Sequence, residues 1–147
     1  IFMPSRVLVE MHNAAESDAC DVIVEMEDRT IYTALFVIPP YVLPAYGEAA
    51  QYIPGVTPHL YRQRADALAK KVLAPAARLA KKLGVGCETV AVNAAEPWSG
   101  ILHAARRKRC DLIVMASHGR RGIAKALLGS ETQRVLTHSR IPVLVIR

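Results

Sequence analysis

Cysteine is scarce in this chain and spaced for neither bridging nor metal binding. Cys20, Cys87 and Cys110 are odd in number, form no C-x-x-C pair and sit among apolar neighbours, so they read as free thiols of a reducing compartment. Structural zinc needs clustered ligands, and the five histidines show no helical pair spacing. Also lacking is any apolar run near the roughly 18 residues of a membrane span, although 52% of the residues are hydrophobic. No secretory leader is expected, because Ile1-Phe2-Met3-Pro4 leads straight into a strand pattern. A cytoplasmic protein without membrane contact is the expectation.

Signatures of fast catalysis are missing too. There is no Gly-x4-Gly-Lys-Ser/Thr phosphate loop, no paired carboxylate near the glycine-bearing loop described below, and no Ser-His-Asp set that the sequence places together. Charge is moderate: 19 Lys and Arg against 13 Asp and Glu give +6, which suits an anionic partner without requiring a nucleic acid. The densest basic run, Arg106-Arg107-Lys108-Arg109, closes a helical pattern, where cations meet the negative end of the dipole. Aromatic residues do not interleave with it, as single-strand binding would want.

What is present is one repeating pattern over 147 residues, enough for a single domain, residues 1–147, with its own core. Strands are expected at residues 6–11, 30–38, 87–92, 111–116 and 143–146. A short helix is expected at residues 15–26. Pro39-Pro40 stops the second strand, and residues 39–58, with Pro44, Pro54 and Gly55, form one long loop, lined by Tyr41, Tyr46, Tyr52 and, just beyond it, Tyr61 as candidates to cover a ligand. Residues 59–83 carry Leu60, Ala67, Leu68, Val72, Ala76 and Leu79 at helical spacing, with Pro75 expected to kink or divide the helix and Gly84 to end it. Pro97 suits the first turn of the next helix, whose buried face holds Ile101, Leu102 and Ala105, and Trp98 is expected to pack that turn. Strands alternating with helices imply an open, mainly parallel α/β sheet with helices on both faces.

The most informative stretch is residues 110–147. Asp111-Leu112-Ile113-Val114-Met115-Ala116 is a buried strand pattern, Ser117-His118-Gly119-Arg120-Arg121-Gly122 follows as a loop, and Gly129-Ser130 opens another helix. A glycine loop turns backbone N–H groups toward one point, and a helix start adds unpaired donors and partial positive charge, so anions bind there. Arg120, Arg121 and Lys125 add charge, and Ser130 offers a hydroxyl to phosphate or to a phosphate-bound metal. Ser130 and Gln133 also make an S-x-x-Q capping box, which explains both without a ligand.

From Asp111 onward these residues resemble the universal stress protein family, whose nucleotide-binding members carry Gly-x2-Gly-x9-Gly-Ser/Thr. Here the pattern is Ala116-x2-Gly119-x9-Gly129-Ser130, with intact spacing and three of four marked positions matched. The resemblance implies a five-stranded sheet of order 3-2-1-4-5 of the adenine-nucleotide alpha-hydrolase type, and a ligand at the switch point between strands one and four. It further implies an adenine nucleotide, ATP foremost with magnesium or manganese as companion ion, held by His12, Val37, Ala116, Ser117, His118, Gly119, Arg120, Gly129, Ser130 and Glu131. Val37 would read the base through its backbone, and His118 would shape the loop. Family members commonly dimerise through the last strand, here residues 141–146, an apolar edge open to pairing.

The first loop departs from the family. Where an aspartate and, two residues on, a serine or threonine are usual, this chain has His12 and Ala14, and acidic Glu25, Glu27 and Asp28 fall where the family is more apolar. A neutral histidine offers one acceptor and a protonated one none, so His12 would meet a phosphate rather than replace the acid. A nucleotide-free interaction protein of the same fold is therefore the second reading. A third, an adenylyl-transfer or nucleotide-hydrolysing enzyme, would want a glycine-rich loop after the first strand, and Met11-His12-Asn13-Ala14-Ala15 contains no glycine.

Overall fold

A computed structural model describes residues 4–11, 30–40, 57–117 and 128–146. The expected helix at 15–26, most of the long loop, and Cys20 lie outside the described residues. The elements run β1 (Arg6–Glu10), β2 (Ile31–Ile38), α1 (Pro58–Leu83), β3 (Cys87–Asn93), α2 (Pro97–Arg107), β4 (Leu112–Ala116), α3 (Ser130–His138) and β5 (Val143–Ile146). All described strand pairs are parallel, and the order is β3-β2-β1-β4-β5. The chain builds outward from β1 to one side and then to the other, so its direction switches between β1 and β4.

Strand alternation divides the core in two. Val7 and Val9 of β1 pack on one face with Tyr32, Ala34, Val72, Leu73 and Ala76. Leu8 points to the other, with Leu35, Ile101, Leu102, Ile113 and Val135. Thus α1 covers one face, and α2 and α3 cover the other. Strands buried on both sides are the reason that β1 and β4 are nearly continuous apolar runs.

The capping of α1 is local. Thr57 Oγ1 accepts from the Leu60 N–H at 3.2 Å, Pro58 occupies the first turn, and Gly84 closes the helix at φ 72°. Pro75 does not divide it: all 26 residues form one helix. The hydrogen bond that proline removes is outweighed by burial on both sides of it, at Val72, Leu73, Ala76 and Ala80. The buried stripe also differs from the expected one. Ala69, Val72, Leu73, Ala76 and Ala80 share a face at a 3.6-residue period, whereas Ala67 and Leu68 are rotated off it and exposed. Tyr61 lies in the first turn of α1 and donates to the Pro39 carbonyl at 2.6 Å. It ties the helix to the end of β2 and is not among the residues lining the cleft described below.

The turn from α2 into β4 is tight because Arg109 adopts φ 54°, letting the Cys110 N–H reach the Ala105 carbonyl at 2.9 Å. Arg106 and Arg107 occupy the last turn of α2, as expected of cations there. At the start of β4, Asp111 accepts from the Ser5 N–H, the Ser5 hydroxyl and the Arg6 N–H at 2.9, 2.8 and 3.0 Å. Burial on its own would raise the carboxyl, but these hydrogen bonds prevail and hold it below the ordinary value. Cys87 and Cys110 are free, and burial pushes both thiols up. Among the described residues no helix is long and apolar enough to cross a membrane.

Candidate functional site

The carboxyl ends of three adjacent strands meet the amino end of α3 around a cleft of 270 Å³. Glu10 comes from β1, Phe36 and Val37 from β2, Met115, Ala116 and Ser117 from β4 and the residue after it, Pro97 and Ile101 from α2, and Gly129, Ser130, Glu131 and Thr132 from the start of α3. This is the topological switch point, where parallel sheets leave a crevice because the two flanking connections run to opposite faces.

Strand β2 outruns β1. Glu10 pairs with Leu35, while Phe36, Val37 and Ile38 continue against Ala91, Val92 and Asn93 of β3. Past its last ladder partner on β1, the overhang brings Phe36 and Val37 to the cleft rim. Helix α2 presses closely on this overhang. A Cβ at Gly100 would lie 2.8 Å from the Ala94 Cβ and 3.2 Å from Val37 Cγ1, so no larger residue fits without a shift.

Two hydrogen bonds dock α3 onto the end of β4, and a third ties that end to β5. The Gly129 N–H donates to the Ser117 carbonyl at 2.8 Å, Thr132 Oγ1 donates to the Ala116 carbonyl at 3.2 Å, and the Ser117 N–H donates to Ile146 at 2.8 Å. A Cβ on Gly129 would come to 3.0 Å from the Ser117 oxygen, so glycine permits the approach. Gly129 itself is the N-cap, and no side chain caps the helix. The expected capping box between Ser130 and Gln133 does not form, because Ser130 is already the first helical residue and the Gln133 N–H bonds the Gly129 carbonyl at 3.0 Å. The early N–H groups of α3 therefore lack intrahelical acceptors and bring partial positive charge to the cleft.

Of the expected site residues, Val37, Ala116, Ser117, Gly129, Ser130 and Glu131 come together in the cleft. His12, His118, Gly119 and Arg120, like Arg121 and Lys125, lie outside the described residues. Two of those brought together have structural engagements as well. The Ser117 N–H and carbonyl are both used in docking β5 and α3. Glu131 Oε2 accepts from the Trp98 backbone N–H at 2.8 Å, capping α2 across the interface, and Arg134 joins Glu131 and Glu96 at 4.0 and 3.1 Å. Trp98 packs as expected, with its ring stacked on His138 at 4.5 Å.

Sequence reasoning missed Glu10, Thr132, Met115, Pro97 and Ile101 as cleft residues. For Glu10 a signal existed: it is the one charged residue ending the apolar run Val7-Leu8-Val9, and it is only 9% exposed. The family's acid position falls two residues further, at His12. Ile101 and Pro97 carried no such signal, because only the packing of α2 brings them beside β2.

The family model for the universal stress protein family matches residues 3–147. The chain belongs to the universal stress protein family. Among curated members, a universal stress protein of Methanocaldococcus jannaschii is 31% identical over 122 residues, covering 82% of this chain and 66% of the relative. The chain spans about half to two thirds of the length of such relatives. A family structure from Burkholderia pseudomallei superposes with a TM-score of 0.70 at 24% identity, over 97% of this chain and 95% of that one. A member from Arabidopsis thaliana solved with AMP bound gives 0.62 at 19% identity, over 97% and 91%. These likenesses establish the α/β fold of the universal stress proteins.

Proposed function

We propose that this cleft binds an adenine nucleotide, ATP foremost with a magnesium or manganese companion, and that the protein is a nucleotide-dependent stress regulator of the cytoplasm with little turnover. The observation that carries the reading is the uncapped start of α3, seated on β4 by the close contact of Gly129 with Ser117. Phosphate suits those donors and the Ser130 hydroxyl. A flat apolar base suits the opposite wall of Phe36, Val37, Pro97 and Ile101, with its polar edge against the β2 overhang. Structures of the same fold carry AMP, cAMP and dAMP, which supports a shared ligand class. His12, His118, Gly119 and Arg120 complete the site in this reading.

Calorimetric titration with ATP and AMP, with and without magnesium, tests it. Micromolar binding is expected. Absence of heat up to millimolar nucleotide overturns it and favours the nucleotide-free partner protein, the reading that His12 and Ala14 support. Dimerisation through β5 belongs to the same proposal. Among the described strands β5 is an edge, paired with β4 alone, and its Leu144 is 42% exposed. Sedimentation at micromolar concentration is expected to give a dimer that Leu144→Glu dissociates.

A further inference from the structure

We infer that Glu10 is the residue that selects ribose in the bound ligand, an inference that rests on the nucleotide reading above. The cleft crosses the ends of β2, β1 and β4 in that order, and adjacent strands lie about 4.8 Å apart. Its apolar wall stands at β2 and α2, and its anion-attracting donors stand beside β4. Glu10 ends the strand between them. Residues alternate along β1, so Glu10 shares the side of Leu8, whose partners are Leu35 and Ile101, the side on which α2 and α3 form the cleft.

A nucleotide laid from the apolar wall to the α3 start places its sugar over β1. Ribose hydroxyls are donors, and an ionised carboxylate is an acceptor with about four lone-pair sites, so it can take a vicinal diol and still keep a contact within the protein. The same charge repels phosphate from the middle of the cleft, which sets the direction in which the ligand lies. Glu10 thereby supplies, from within the strand, the acid that His12 does not.

The test is titration of AMP and 2′-deoxy-AMP into the wild-type chain and the Glu10→Leu and Glu10→Gln variants, with EDTA throughout so that no cation bridges the carboxylate. Wild type is expected to prefer AMP about tenfold, the size of one charge-assisted hydrogen bond. Glu10→Leu is expected to lose that preference by weakening AMP while leaving 2′-deoxy-AMP within twofold. Glu10→Gln, nearly isosteric, keeps one acceptor and falls between; if the leucine variant does not fold, the Gln variant's AMP-to-deoxy ratio decides. A wild type without preference, or a preference that survives both substitutions, overturns the role of Glu10 and leaves nucleotide binding standing. A wild type that binds neither nucleotide overturns both.

Discussion

At the amino-terminal rim of the sheet, the Asp111 carboxylate draws three hydrogen bonds from Ser5 and Arg6 and ties β4 to β1. At the carboxyl-terminal rim of the same two strands, the buried carboxylate of Glu10 borders a cleft, and α3 starts without a side-chain cap. The first rim is closed by its own neighbours in the ladder. The second keeps donors and an acceptor at the edge of a cavity, because β1 ends before β2 does and the chain turns to opposite faces on either side of it. The tie between β1 and β4 and the cleft thus lie at opposite ends of the five residues of β1.

Substitutions at the cleft rim should lower stability and nucleotide affinity together, whereas those at the other rim should change stability alone. The largest effect is expected at Gly100, where even a Cβ meets Ala94 and Val37. Gly100→Val should cost about 2–3 kcal/mol by overpacking and also weaken nucleotide by displacing Val37, as urea unfolding and titration would report. Gly129→Ala is expected to lower AMP affinity about tenfold by pushing α3 off Ser117, with a stability loss of about 1 kcal/mol. Equal AMP affinity in that variant would break the assignment of this contact to the binding rim.

Asp111→Asn is expected to cost about 1 kcal/mol, reduced by its partial exposure to solvent, and to leave AMP affinity unchanged. The sign of its pH dependence follows from the depressed carboxyl. Its contribution is fully present above the unfolded value near 3.8 and is lost as pH falls through the lower folded value. Thermal melts of wild type and variant should therefore converge in acid and separate toward neutrality; a constant difference would sink the account. The smallest effect is a gain: Arg109→Gly removes a side chain from φ 54° and should add about 0.5 kcal/mol without touching the cleft.

Much of the architecture was legible because it is written in local periodicity. The runs at Val7-Leu8-Val9 and at Leu112 through Ala116 are apolar enough to demand burial on both faces, and Gly84 and Pro97 mark their helix ends. The order of the strands came from the resemblance at residues 110–147, not from periodicity. The buried stripe of α1 differs from the expected one, since Leu68 is as apolar as its neighbours and only the docking angle of the helix decides which side meets the sheet. Pro75 failed to divide α1 for a related reason: the cost of a lost hydrogen bond is local, whereas the burial that offsets it belongs to the whole helix.

For the site, the glycine spacing pointed to Ala116, Ser117, Gly129 and Ser130, which line one cleft, but what each of them touches came from the fold. That Ser130 is not a cap, that Glu131 serves α2, and that Glu10 stands in the cleft all depend on distances between elements far apart in sequence. By itself the sequence determined the types of the described elements, the two-sided burial of the central strands, and the family, because these follow from residue spacing and motif. Only the tertiary structure decided that Asp111 ties β4 to β1 while Glu10 and Glu131 border the cleft, because hydrogen bonding and burial depend on what long-range packing sets beside each group.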